Sequence, residues 1–373
     1  MSPYRASPMF RLSFLLVVFG ILSAISAFAV HVAPNDPHIE WTGAPFAKVS
    51  PNLVEFRRFS DDCLANATAF LRESKATTTT GVVIRFTTTS ARATANFRVL
   101  PGDNRGSWFG IYQNGVRTAE MKVDKSKSTF GLDLVSVAAG SPVTFEIVMP
   151  IFSNCALTGL DLSDGTLLRN PKLNRPVYAA MGDSITHGTG QDATWQTYAW
   201  IVAQDKGWAL ENLAVGGSRV TPPIGDDIKG RRIDVISILI GYNDWNMVND
   251  PAVYRANYES LLKNIREHQP RAAILCITPL YSSKSKPSGP GVTETLDPYR
   301  DIVRSLVRSH SAQGDDRIFL IEGLSISDAA DVSKDGVHLS IPGAARVAER
   351  LSRAIEKLDL KLTGQPLARS AAH

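Results

Sequence analysis

Between residues 30 and 165 apolar and polar positions alternate in short runs. Gly81–Thr87 (GVVIRFT), Ala95–Leu100 (ANFRVL) and Pro142–Val148 (PVTFEIV) are rich in β-branched and aromatic residues, which suit a half-buried strand. Two more runs between Trp108 and Val123 flank Asn114-Gly115, a dipeptide favoured in two-residue hairpin turns. Only Asp61–Glu73 offers a helical period. Short strands separated by polar turns predict an all-β sandwich of jelly-roll kind over residues 30–165.

The texture changes at Asp161–Pro176, a polar stretch with Gly165, Pro171 and Pro176 that reads as a domain boundary. Beyond it apolar strands at Val177–Ala180, Ala209–Leu213, Asp234–Ile240, Ala272–Thr278 and Arg317–Ile321 alternate with helical patterns. The helices fit Thr194–Gln204, Val253–His268, Pro298–Ser309 and Pro342–Leu358. Strands this apolar, each followed by a helix, predict a parallel sheet covered on both faces, an α/β fold over residues 166–360 with a tail at 361–373. In such folds ligands gather at the carboxyl ends of the strands, which is where chemistry is sought below.

The first 29 residues form a targeting pattern. A basic stretch ending at Arg11 precedes the apolar run Leu12–Ala29, which closes on Ala27-Phe28-Ala29, a small-x-small cleavage site. Cleavage is expected, with a retained anchor as the alternative; either way the folded part is exported to a secreted or periplasmic location, with no stable membrane span once the signal is removed. Three cysteines remain for an oxidising compartment. Cys63 and Cys155 leave a disulfide open between them, and Cys276, in the apolar run AAILCIT, reads as a buried thiol. Asn66-Ala67-Thr68 is a glycosylation sequon. The formal charge is only +4, with two positives, Arg5 and Arg11, in the leader. No basic cluster interleaves with aromatics, so nucleic acid is not expected as a partner.

Four short constellations fall at the strand ends or in the last loop. Gly182-Asp183-Ser184-Ile185-Thr186 leaves the first strand; its serine can serve as a nucleophile or as a plain helix cap. Asn212-Leu213-Ala214-Val215-Gly216-Gly217 follows the second, where a glycine N–H can face a substrate. Gly241-Tyr242-Asn243-Asp244 ends the third, and an Asn243 amide there can donate to an oxyanion or close an Asx turn. Asp335-Gly336-Val337-His338 precedes the last helix; acyl transfer by serine needs a base and a carboxylate that orients it. His31, His38 and His373 lie near termini, His268 and His310 at helix ends, and His187 would require the turn to fold back. His338 is the candidate base.

In that order GDSIT, NLAVGG, GYND and DGVH resemble the blocks of SGNH/GDSL hydrolases, over residues 177–358. The resemblance implies a flavodoxin-like α/β/α sandwich with Ser184 as nucleophile, His338 as base and Asp335 as its partner. It also implies an oxyanion hole from the N–H groups of Ser184 and Gly217 and the side chain of Asn243; Gly216 is the neighbouring alternative, the spacing from Asn212 pointing to Gly217. Gly131-Leu132-Asp133-Leu134, in the β region, resembles the accessory module of two-domain carbohydrate esterases, with Val135 where an aromatic is expected.

These readings imply a serine esterase acting through an acyl-enzyme, without metal or organic cofactor, on an acylated small molecule or polysaccharide. Trp195, Tyr242 and Trp245 are the candidate substrate-binding aromatics, for stacking on sugar rings. No extended apolar lid is evident, so short acyl groups, acetyl above all, are expected. A general short-chain or lysophospholipase-like acylhydrolase is the alternative among enzymes. An inactive exported carbohydrate-binding protein is the alternative of another class. The sequence does not fix the oligomeric state.

Overall fold

The computed structural model describes residues 30–360, apart from 67–69, 125, 139, 249 and 292, and also Leu362. The expected leader at 1–29, Ala67 and Thr68 of the sequon, and the tail beyond Leu362 lie outside the described residues. Among the described residues no helix is long and apolar enough to cross a membrane.

The N-terminal half builds two antiparallel sheets face to face. One runs in the order Lys48–Ser50, Leu53–Glu55, Cys155–Leu162, Arg92–Val99, Thr129–Val135, with Val30–Val32 also on Cys155–Leu162. The other runs Leu167–Leu168, Val83–Thr88, Val143–Val148, Trp108–Gln113, Val116–Lys122, with Glu40–Thr42 on Val83–Thr88. Phe86, Phe97, Phe109, Phe145, Leu132 and Leu160 fill the space between them. The hairpin turns at Asn114-Gly115, with φ of 52° and 83° at the two residues, the backbone a two-residue hairpin turn requires. In Gly131-Leu132-Asp133-Leu134 both leucines point into this core while Gly131 and Asp133 face out, as a strand's two-residue period demands.

Five parallel strands form the second half, in the order Ala209–Ala214, Val177–Gly182, Val235–Leu239, Ala273–Ile277, Ile318–Ile321. This second-first-third-fourth-fifth order is the flavodoxin-like one. Val235–Leu239 and Ala273–Ile277 are buried along their whole length because helices cover both faces. Pro251–His268 and Asp297–Ala312 pack on one face. Tyr198–Lys206 and Ile341–Glu356 pack on the other. Ser340 caps the last helix by accepting the Gly343 N–H at 3.1 Å, and Pro342 occupies its first turn.

The span Asp61–Glu73 is not one helix. Asp61–Ala65 and Glu73–Ala76 are separate short helices, and Asn66 is already extended. Both rest on the parallel sheet, where Phe59, Cys63 and Ala76 enter its core. This placement answers the cysteine question as well. Cys63 lies in the α/β core and Cys155 in the sandwich core, so the two thiols do not pair; Cys276 is buried in its strand as expected.

One side chain ties the two halves. Arg58 is fully buried and its guanidinium donates to Thr78 O at 2.7 Å, Lys75 O at 3.0 Å, Asn212 O at 2.7 Å and Ala214 O at 2.8 Å. The last two carbonyls belong to the edge strand of the parallel sheet, whose open side has no strand to pair with. Burial lowers the guanidinium to about 9. No carboxylate forms an ion pair with it among the described residues. Replacing Arg58 with Met removes the donors and leaves buried carbonyls unpaired, which should cost about 3 kcal/mol or more of unfolding free energy. Urea unfolding of Arg58→Met checks this; a loss under about 0.5 kcal/mol, the size of an ordinary surface change, would show that the halves are held by packing alone.

Candidate active site

The first parallel strand ends at Gly182 and turns at once into the short helix Ser184–His187. Only glycine fits at 182: a Cβ there would lie 2.2 Å from Thr186 Oγ1 and 2.7 Å from Leu239 O. Asp183 caps the helix by accepting the Ile185 N–H at 3.0 Å. The turn therefore presents Ser184, half-buried, at the carboxyl end of the sheet with its N–H in the first helical turn.

His338 and Asp335 reach it from the loop before the last helix. His338 Nε2 is 2.8 Å from Ser184 Oγ, and His338 Nδ1 is 2.6 Å from Asp335 Oδ2. The other Asp335 oxygen accepts from the backbone N–H groups of Val337 and His338 and from the Ser333 hydroxyl, each at 2.9 Å. Partial burial opposes the Asp335 charge, but the His338 ring and the two backbone donors outweigh it and hold the carboxyl well below the usual carboxylate range. An ionised Asp335 accepts the hydrogen bond of Nδ1–H, so Nε2 is left to accept from the serine hydroxyl. This is the arrangement in which an imidazole can remove a hydroxyl proton.

The residues expected to supply oxyanion donors line the same cleft. Ser184, Gly217 and Asn243 all line one cleft of about 470 Å³ together with His338 and Asp335. Asn243 spends one amide hydrogen on Ser218 O at 2.9 Å, which fixes the side chain and leaves the other hydrogen for the cleft. Between the two glycines the hydrogen bonds decide. The Gly216 N–H donates to His187 Nδ1 at 2.9 Å, so it is committed, whereas Gly217 lines the cleft. Asn212 supports this corner from behind: its side chain donates to Thr186 O at 2.9 Å and accepts the Ala214 N–H at 3.1 Å.

His187, which from the sequence would require the turn to fold back, takes a different place in the structure. It is fully buried, with Nε2 3.0 Å from the Thr78 hydroxyl and its ring 4.1 Å from that of Phe152. Burial, then the nearby charges of Arg58, Arg105 and Lys75, hold it neutral by lowering its proton affinity well below the ordinary histidine value. With Nδ1 accepting from Gly216, Nε2 carries the proton and donates to Thr78. No local pattern reveals this, because Thr78 comes from the β region.

Two acids lie beneath the cleft. Burial pushes the carboxyl of Asp183 up to about 6 and that of Asp244 up to about 7, against the N–H groups of Ile185 and Val220 that they accept. Among the described residues no group of three or more His, Cys, Asp or Glu side chains is disposed to hold a metal ion.

The aromatic candidates divide. Tyr242 lines the cleft. Trp245 does not: it has no exposed surface and sits in the core with its ring edge-on to Tyr242 at 5.6 Å, because its turn points inward against Pro251–His268. Trp195 is displaced too. Its ring lies against Gly110 of the sandwich and under Arg117 at 5.2 Å, so it fills the joint between the halves. Trp108, unremarked in the sequence, lines a second cavity that adjoins the cleft through Arg105 and Thr189.

The profile of the GDSL-like lipase/acylhydrolase family matches residues 180–346. The cellulase/esterase CelE of Acetivibrio thermocellus is 24% identical over 288 residues, which are 67% of this chain and 34% of the relative. The chain thus spans about a third of that curated relative's length. Among solved structures, the salicylyl-acyltransferase SsfX3 from a tetracycline biosynthetic pathway superimposes with a TM-score of 0.77 at 18% identity, covering 88% of this chain and 97% of that one. A family two carbohydrate esterase from Clostridium thermocellum, solved with cellohexaose, gives 0.61 at 20% identity over 82% and 98%. At these identities the two superpositions show the fold: an antiparallel β region joined to an SGNH-type α/β domain. Residues 180–346, with a strand-end serine in the expected turn, thus form a GDSL-like lipase/acylhydrolase domain, that of a carboxylic ester hydrolase.

Proposed function

We propose that the protein is an exported esterase that removes short acyl groups, acetyl first, from a carbohydrate. Ser184, His338 and Asp335 act as the triad, and the N–H groups of Ser184 and Gly217 with the Asn243 amide act as the oxyanion hole. The observation that carries the reading is the unbroken line of hydrogen bonds from Asp335 through His338 to Ser184, at 2.6 and 2.8 Å. His338 takes the hydroxyl proton as Ser184 Oγ attacks the ester carbonyl, and the three donors stabilise the tetrahedral oxyanion. The alcohol leaves with the proton from His338, and a water activated by the same imidazole releases the acid from the acyl-enzyme.

The short-chain preference is supported by the side chains that line the cleft, among which Val337 is the single aliphatic one. A long acyl chain would need an apolar trough to bury its methylenes. The carbohydrate preference is supported by the esterase relatives and by the cellohexaose named with one of them. Export is supported by the apolar run that closes on Ala27-Phe28-Ala29. In this reading residues 30–165 form an accessory domain and residues 166–360 the hydrolase domain.

Ser184→Ala should lower kcat by roughly 10⁴-fold or more with its circular dichroism unchanged, as loss of a triad nucleophile does. Turnover within tenfold of the parent would remove Ser184 from the mechanism. Asp335→Asn should lower kcat by at least about tenfold, since the imidazole loses the acceptor that holds its tautomer and the imidazolium its counter-charge. An unchanged kcat in Asp335→Asn would mean that Asp335 does not act through His338. Across p-nitrophenyl esters the rate should peak at acetyl, with acetate released from acetylated xylan. A maximum at long chains without acetate release would leave an acylhydrolase of another substrate class. Saturable glycan binding without turnover of any ester would leave a binding protein.

A further inference from the structure

The cleft beside Ser184 is walled by three cationic side chains, Lys75, Arg105 and Lys284, against a single carboxylate, Asp335, which His338 already engages. A fourth cation stands close by. A Cβ built on Gly217 would come within 3.3 Å of Arg72 Nε, and one on Gly216 within 3.3 Å of Lys75 Nζ. Two positive groups therefore overhang the glycine pair at the edge of the cleft. The chain as a whole carries a formal charge of only +4, so this gathering is local and does not reflect a uniformly basic surface.

Like charges repel when placed together, and folded proteins normally relieve this with carboxylates. Here the relief is thin: Asp103 stands near Arg105 and Lys75. Among the described residues Arg72, Lys75 and Lys284 have neither an ion pair nor a side-chain hydrogen bond, and Arg105 meets Asp103 only at 3.7 Å. Burial and the charges of Arg72 and Arg105 together depress the Lys75 ammonium from its ordinary value. Arg105 is anchored at its head, and Lys75 at its backbone. The Arg105 guanidinium lies 3.7 Å from the centroid of the Phe152 ring, and the carbonyl of Lys75 is held by Arg58 at 3.0 Å. Cations held apart from counter-charges at the mouth of a reaction cleft are arranged for an anionic ligand.

We propose that Lys75, Arg105 and Lys284, with Arg72, form an anion subsite, and that the ester this protein cleaves best carries a carboxylate or phosphate near the scissile bond. The inference rests on the esterase reading and narrows it from acylated carbohydrate to acylated anionic polymer or glycoside. It also gives the β region a share in recognition, since Arg72, Lys75 and Arg105 all precede residue 165.

The test compares acetate release by the full mature chain from three polymers: acetylated xylan, which is neutral; acetylated polygalacturonate, which carries carboxylates; and acetylated poly(glycerol phosphate). At low salt, kcat/KM on at least one anionic polymer should exceed that on xylan by about tenfold or more, the scale of a charge-assisted contact. The better anionic polymer identifies the group. The advantage should shrink with added salt. In Arg105→Gln and Lys75→Gln the anionic-to-neutral ratio should fall several-fold, through KM more than kcat, and Arg105→Lys should restore most of it. Inorganic phosphate should inhibit competitively, and more weakly in the Gln variants. Turnover of xylan and p-nitrophenyl acetate with a ratio near one, unmoved by these substitutions, would overturn the anion subsite while leaving the esterase intact. Silence on every ester would overturn the esterase reading itself.

Discussion

The guanidinium of Arg58 is the constraint on which the site's architecture depends. A charge in the interior is expensive unless every donor finds an acceptor, and here they are spent on backbone oxygens from two regions. On one side are Lys75 and Thr78, and on the other Asn212 and Ala214 of the edge strand. From Thr78 the line continues through its hydroxyl to His187 Nε2, and from His187 Nδ1 to the Gly216 N–H. The glycine next to the reacting cleft is thus held by a chain that begins in the β region. A module appended for ligand binding alone would have no reason to enter the hydrolase core with Phe59, Cys63 and Ala76. The β region is a structural part of the site.

The rest follows from the parallel sheet. Strands buried on both faces must end in turns at one rim, and that rim is where backbone N–H groups are unspent. Ser184, Gly217 and Asn243 come from the ends of three neighbouring strands, ordered side by side in the sheet. His338 and Asp335 come from the loop that precedes the last helix. No single segment of the chain holds more than two of these groups, so their meeting is a property of strand order.

That division explains what could be seen in the sequence. The five parallel strands and the flanking helices announce themselves by local period, and all lie where their patterns put them except Thr194–Gln204, which breaks at the extended Thr197 into a 3-10 turn at Thr194–Gln196 and a helix at Tyr198–Lys206 whose N–H groups Thr197 caps. The turn at Gly182–Ser184 and the loop at Asp335–His338 are short contiguous patterns, legible for the same reason. What escaped was non-local or side-specific. Trp245 and Trp195 are near the motifs in sequence, but proximity in sequence does not say which way a ring points; one went into the core and the other into the joint. The choice between Gly216 and Gly217 needed His187, and His187 needed Thr78. Arg58, Lys75 and Arg105 sit in a region whose pattern spoke only of strands and turns. The span 61–73 misled because its helical period is satisfied by two short helices laid on another sheet.

Charge is sorted by depth around Ser184, and the sorting bears on chemistry. Asp183 and Asp244, the acids beneath the nucleophile, are buried enough that their carboxyls rise to about 6 and about 7. Asp335 keeps its charge, but behind the imidazole, where it favours the imidazolium formed as the proton moves. The cations stand at the mouth, on the side of Gly216 and Gly217. In the proposed mechanism a carbonyl oxygen that gains charge meets the hole donors and the positive side chains that line the cleft. In that mechanism the field favours the tetrahedral intermediate over the neutral ester, which is the sense in which electrostatic preorganisation lowers a barrier.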